Sequence, residues 1–134
     1  MDLTELIQPG LEREESFMVE DEQTAIQIGS GGSRVLATPW MIAFMERVSH
    51  RLLAGKLPKG YSSVGVLVNV RHLAPTPVGS QVRVHTQIVS LDGWKVVFHV
   101  QAWDSSEQIG DGQHERFVID EARFLRRVAG KREG

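Results

Sequence analysis

The chain has 134 residues, 41% hydrophobic and 24% charged, with a formal net charge of −2. These are the proportions of an ordinary globular domain, and the near-neutral balance gives no reason to expect nucleic acid or a membrane surface as a partner. With no cysteine in the sequence, disulfides, thiol catalysis and thiolate metal sites are excluded.

Charge is uneven along the chain. Residues 1–22 hold eight acids and one base, and residues 121–134 hold five bases and two acids. Both ends read as solvated, with anion binding by the basic tail as the minor alternative. The start, M-D-L-T-E-L-I-Q-P-G, lacks the basic and apolar segments of a secretory signal. No stretch approaches the ~20 apolar residues of a membrane span. The expected compartment is the cytoplasm, and residues 1–134 read as one domain.

In chain order, residues 2–8 predict a helical turn ended by Pro9-Gly10. Ser16 to Glu20 is a strand candidate, and Ala25 to Ile28 is a second. Gly29 to Ser33 is a glycine-rich loop. It lacks the Gly-Lys-Ser/Thr ending of a P-loop and the G-x-G-x-x-G spacing, so it reads as an access loop beside a pocket rather than a phosphate cradle. The only long helix is expected over 38–54. Thr38 is its expected N-cap, Pro39 suits its first turn, and Gly55 and Pro58 end it. Met41, Phe44, Met45, Val48 and Leu52 form a continuous stripe, which Trp40, Ile42, Ala43 and Leu53 widen until the helix must be enclosed. Glu46 lies in this apolar setting, where a charge is costly unless it has a partner or a purpose.

Everything after the helix reads as strand. Val64, Val66, Val68 and Val70 alternate with Gly65, Leu67, Asn69 and Arg71, which aligns His72 with the valines. Pro75 and Pro77 stop that strand. Val82, Val84, Thr86 and Ile88 oppose Arg83, His85 and Gln87. Asp92-Gly93 is a hairpin turn, and Trp94, Val96, Phe98, Val100 and Ala102 then face inward. After a turn at Asp104 to Ser106, the strand Gln108 to Asp120 carries Gly110, Gly112, His114, Arg116 and Val118 on one face. The two glycines leave room for a close neighbour, helix or ligand. One strand, one enclosed helix and four antiparallel strands predict an α+β domain of two layers, a sheet covered by a single helix.

Three segments resemble the hotdog-fold thioesterases typified by fluoroacetyl-CoA thioesterase: A-T-P-W-M-I-A-F-M-E, G-V-L-V-N-V-R-H-L-A-P-T-P-V-G and I-G-D-G-Q-H-E-R-F-V-I. They cover about residues 35 to 120, with Thr38 eight residues before Glu46, Glu46 twenty-six before His72, and His72 forty-four before Arg116. The resemblance implies the hotdog fold, a curved antiparallel sheet of about five strands wrapped round one long central helix. It also implies hydrolysis of an acyl-CoA substrate by a homodimer with a pocket near the subunit boundary, without a cofactor. Thr38, Glu46 and His72 match the family's catalytic trio, and Gly65 and Arg116 match positions near the substrate. One departure leaves the acyl group open. The fluoroacetyl-selective member has aromatic pocket residues just before the helix, where this chain has Gly29 to Ser33.

Plainer readings stand beside these. Thr38 is explained by capping alone, His72 by a satisfied strand-end hydrogen bond, and Arg116 by an ion pair with Glu115 of a partner strand or with Glu121. His50, His85, His99 and His114 are expected on the solvent side of strands or at the helix end, with no metal-binding set among them. The absence of a G-x-S-x-G elbow argues against an α/β-hydrolase. Two rival functions remain, another hotdog chemistry such as a 3-hydroxyacyl hydratase, and an acyl-CoA-binding module without catalysis.

Overall fold

A computed structural model describes residues 1–132; residues 133 and 134, which close the basic tail, lie outside the described residues. Five strands form one antiparallel sheet: β1 (Glu12–Met18), β2 (Tyr61–His72), β3 (Gln81–Asp92), β4 (Lys95–Trp103) and β5 (Gln108–Asp120). Their order across the sheet is β1-β3-β4-β5-β2, which leaves β1 and β2 as edges. A short helix α1 (Ala25–Ile28) and the long helix α2 (Thr38–Ala54) precede β2, and α3 (Glu121–Gly130) follows β5.

The apolar stripe forms the expected core. Met41, Phe44, Met45 and Val48 of α2 are no more than 1% exposed, and they meet Val82, Val84, Ile88, Val96, Phe98 and Val100 from the sheet. Burying each such side chain contributes roughly 1.5–3 kcal/mol. Phe17 of β1 stacks on Phe44 with ring centroids 4.5 Å apart. The helix lies close against the sheet at Gly110, where an added Cβ would lie 2.7 Å from Met41 Sδ. So the glycine on that face makes room for the helix, not for a ligand. The Asp92-Gly93 hairpin forms as expected, with Gly93 at φ +61°.

The chain departs from the sequence reading in several places. Ala25–Ile28 is a helical turn rather than a strand, because Gly29 at φ +78° folds the chain back and Ser30 N–H reaches the Ala25 carbonyl at 3.0 Å. The first strand begins earlier, at Glu12, and pairs with β3. Gly55 ends α2 in an ordinary right-handed conformation, without a left-handed cap. A second helix of size exists in α3, whose N-cap Asp120 accepts from Arg123 N–H at 3.2 Å.

Candidate active site

Helix α2 and strand β2 bring together two groups of the expected site residues. The first pairs Thr38 with His72. Leu36 N–H donates to the Thr76 carbonyl at 2.8 Å, and Val35 bridges Pro77, so the segment entering α2 is tied to the segment leaving β2. Thr76 is fully buried and donates its hydroxyl to Asp104 at 2.9 Å. That aspartate also accepts from the N–H groups of Ser106 and Glu107 in the expected turn. The result sets Thr38 Oγ1 2.7 Å from His72 Nδ1.

Thr38 is therefore not the N-cap. Ala37 holds that position, no side chain caps the helix, and the threonine hydroxyl, already inside the first turn, is turned to the histidine. The other ring nitrogen, His72 Nε2, is buried and has no hydrogen-bond partner among the described residues, an arrangement costly to maintain unless a partner arrives. Burial pushes the His72 pKa below the ordinary imidazole value, with the Ala74 backbone acting weakly the other way. A cavity of about 360 Å³ opens here, lined by Thr38, His72 and Pro75 together with Ala25 and Ser30. Ser30 belongs to the glycine-rich segment, which thus does border a pocket.

The second group gathers round Glu46. Its Oε2 lies 3.7 Å from Arg116 Nη1, and a Cβ on Gly65 would stand 3.0 Å from the same oxygen. A β-bulge at Val66 makes this possible. Gly65 pairs with Arg116 while Leu67 pairs with Glu115, so the alternation of β2 skips a residue. Seven positions separate Gly65 from His72, and in a regular strand they would face opposite ways. The bulge puts both on the side of α2, in the row with Ser63 and Val70, and breaks the uninterrupted valine face expected from the sequence.

Arg116 is held closely. Its Nε donates to Ser63 Oγ at 2.9 Å, Nη2 to the Ser63 carbonyl at 3.1 Å, and Nη1 to His114 Nε2 at 3.1 Å. Its ionic partner is Glu46, not Glu115 or Glu121. Burial lowers Arg116 from its ordinary value and Glu46 opposes that shift. Glu46 itself keeps a side chain 42% exposed, at the mouth of a second cavity of about 360 Å³ that Ala43, Arg47, His50 and Arg116 complete.

Within one chain the two groups stay separate. Eight residues of helix hold Thr38 and Glu46 roughly 12 Å apart along the axis, and each opens into its own cavity. Sequence reasoning missed three contributors. Ser63 carries no pattern that singles it out, and His50, 3.2 Å from Ser63 Oγ, sits where helix periodicity is least decisive. His114 is the clearer correction. It was expected on the solvent side, yet it is 1% exposed, and its alternation with Arg116 was the signal that it faces inward. Among the described residues no group of His, Asp and Glu has the arrangement of a metal site.

Comparison with known proteins gives the family. Residues 19–122 match the family described as fluoroacetyl-CoA-specific thioesterase. The chain belongs to that family. Fluoroacetyl-CoA thioesterase of Streptantibioticus cattleyicolor is 37% identical over 97 residues, covering 72% of this chain and 70% of the relative. Among solved structures, fluoroacetyl-CoA thioesterase is 30% identical with a TM-score of 0.88, over 93% of this chain and 97% of the other. A hot-dog-like protein from Thermanaerovibrio acidaminovorans is 27% identical with a TM-score of 0.90, over 98% and 97% of the two chains. The α+β architecture of this thioesterase family member is thus the hotdog fold.

Proposed function

We propose that the protein hydrolyses the thioester of a small acyl-CoA, with Glu46 and His72 carrying the chemistry and Thr38 supporting them, while Gly65 and Arg116 lie beside the substrate. The observation that carries this reading is the Thr38–His72 hydrogen bond at the start of α2, which leaves His72 Nε2 buried and unpartnered. A hydroxyl and an imidazole in direct contact, with the second ring nitrogen awaiting a partner, suit proton transfer at a reacting centre. The unpaired N–H groups of the first helical turn favour developing negative charge nearby.

Glu46 either takes a proton from an attacking water or attacks the carbonyl carbon itself. In the first route water displaces the sulfur directly, and in the second a Glu46 mixed anhydride forms and is then hydrolysed by water. In both the acyl C–S bond breaks, the leaving sulfur receives a proton by way of His72, and the products are a carboxylic acid and coenzyme A. Arg116 keeps a buried positive charge facing the Glu46 carboxylate. Solvent oxygen found in the Glu46 carboxylate after turnover in labelled water would require the covalent route, because general-base catalysis leaves both glutamate oxygens in place.

The active form we propose is a homodimer of single-domain chains, located in the cytoplasm. Strand β2 is an edge, and Gly65 to Asn69 are all exposed on it, including Val66 (52%) and Val68 (41%). An exposed apolar edge strand invites pairing with another strand. Antiparallel pairing of two such edges about Leu67, the middle of the exposed run, sets the partner's Gly65 opposite Asn69. That is three residues from His72, roughly 10 Å along the strand, against roughly 23 Å for the seven residues separating Gly65 from His72 in one chain. The carboxylate beside Gly65 would then reach toward the Thr38–His72 pair of the other subunit, joining the two half-sites. A thiol-release assay over a panel of acyl-CoAs tests the activity. Release of thiol is expected, whereas binding of acyl-CoA without release would point to a silent binding module.

A further inference from the structure

His114 is buried at the centre of the Glu46 group and has no role in the chemistry above. Its hydrogen bonds fix its state. Nδ1 lies 2.8 Å from the Leu67 carbonyl, which can only accept, so Nδ1 carries the proton. Nε2 faces Arg116 Nη1 at 3.1 Å, and a guanidinium can only donate, so Nε2 presents a lone pair. The imidazole is therefore neutral and in one tautomer, stacked against Phe98 at 6.0 Å between centroids.

We propose that His114 is a positioning residue for Glu46, acting through Arg116. As a neutral acceptor it holds Nη1 of the guanidinium at the point from which that nitrogen faces the Glu46 carboxylate. This rests on the reading of Glu46 as a chemical group of the site. A second proton on Nε2 would remove the acceptor and set two cations against each other, turning Arg116 away. The groups that bear on this ring are Arg116 and Glu115 from β5, Glu46 from α2, the Leu67 carbonyl from β2 and the apolar Phe98 from β4. Burial, the largest influence, and Arg116 both favour the neutral ring, while the Leu67 hydrogen bond and the two carboxylates act the other way.

The test compares the parent with His114→Phe, His114→Gln and Glu46→Gln in thiol release from acyl-CoA between pH 5 and 9. His114→Phe keeps the stacking surface but has no acceptor, and kcat should fall tenfold or more. In His114→Gln the amide oxygen can still accept from Arg116 and cannot titrate, so kcat should recover and the acid limb of the pH profile should become shallower, with one inactivating protonation removed. A long-range proton–nitrogen NMR spectrum of the parent should show His114 protonated on Nδ1 alone at pH 7, a readout independent of activity and of whether the variants fold. Protonation on Nε2 overturns the proposal. So does a folded His114→Phe enzyme with the parent rate and pH profile while Glu46→Gln is inactive. A Glu46→Gln enzyme at the parent rate overturns instead the site reading on which this role depends.

Discussion

Thr38 Oγ1 and His72 Nδ1 lie 2.7 Å apart although thirty-four residues separate them in the chain. The contact replaces the capping bond that the sequence led one to expect, and this separates the threonine's two possible roles. If Thr38 capped the helix, Thr38→Ala would cost about 1 kcal/mol of stability. With the hydroxyl turned to His72, Thr38→Ala should instead leave the unfolding free energy from urea titration within about 0.5 kcal/mol of the parent, as for a substitution that removes no cap or core contact. Its kcat should fall by about tenfold or more, and Thr38→Ser should restore most of the rate. Equal loss of stability and rate in Thr38→Ala would return the residue to a capping role.

Gly65 supplies a steric prediction. A methyl group there would stand 3.0 Å from Glu46 Oε2 and 3.3 Å from His114 Cε1. Gly65→Ala should therefore push the carboxylate off its position and lower kcat/KM by at least ~10-fold, since small misplacements of reacting groups are expensive. The measurement is steady-state thiol release alongside a melting curve. A parent-like kcat/KM would show that the carboxylate can yield without consequence.

Histidine burial predicts a pH dependence of stability. Burial pushes His72, His114 and His50 below the ordinary imidazole value. Each group takes up its proton in the unfolded chain at a higher pH than in the folded one, so the unfolded state binds more protons as pH falls. The stability these neutral rings contribute is complete above the unfolded value of about 6.5 and is lost as pH falls from there toward the folded values. Urea midpoints at pH 8 and pH 5.5 should differ in that direction, and the difference should shrink in His114→Gln. A midpoint that rises on acidification would contradict the burial of these rings.

Gly110 tests the packing of helix on sheet. A Cβ there would meet Met41 Sδ at 2.7 Å and Met45 Cε at 2.9 Å, so Gly110→Ala should destabilise the fold by about 1–3 kcal/mol, the usual cost of overpacking a core. Denaturant unfolding measures it, and an unchanged midpoint would mean that helix and sheet are less closely apposed.

The helix, the strands and the inward rows of β3, β4 and β5 were legible because their apolar residues recur with the period of the element that buries them. Val82, Val84, Ile88, Val96, Phe98 and Val100 all reach the core as their alternation predicts. The misses have physical causes. The bulge at Val66 is invisible in a run of valines, because their alternation runs unbroken through it, yet it alone lets Gly65 and His72 share a face. Helix α3 was hidden by its charge. Arg123, Arg126 and Arg127 read as a solvated tail, although Asp120 was available as a cap and Phe124 and Val128 are spaced for one helix face. The Thr38–His72 contact depends on hydrogen bonds from Leu36 to Thr76 and from Thr76 to Asp104, and such pairings leave no periodic trace.

The central claim is that Glu46 and His72 together break a thioester, and a single-turnover thiol-release measurement on folded Glu46→Gln bears on it most directly. The substitution keeps the size of the side chain and removes both basicity and nucleophilicity. The account expects the rate constant for thiol release to fall by at least the ~10²–10⁴-fold typical of losing one acid–base group, with acyl-CoA still bound. A folded Glu46→Gln protein that releases thiol from every tested acyl-CoA at the parent rate would contradict it.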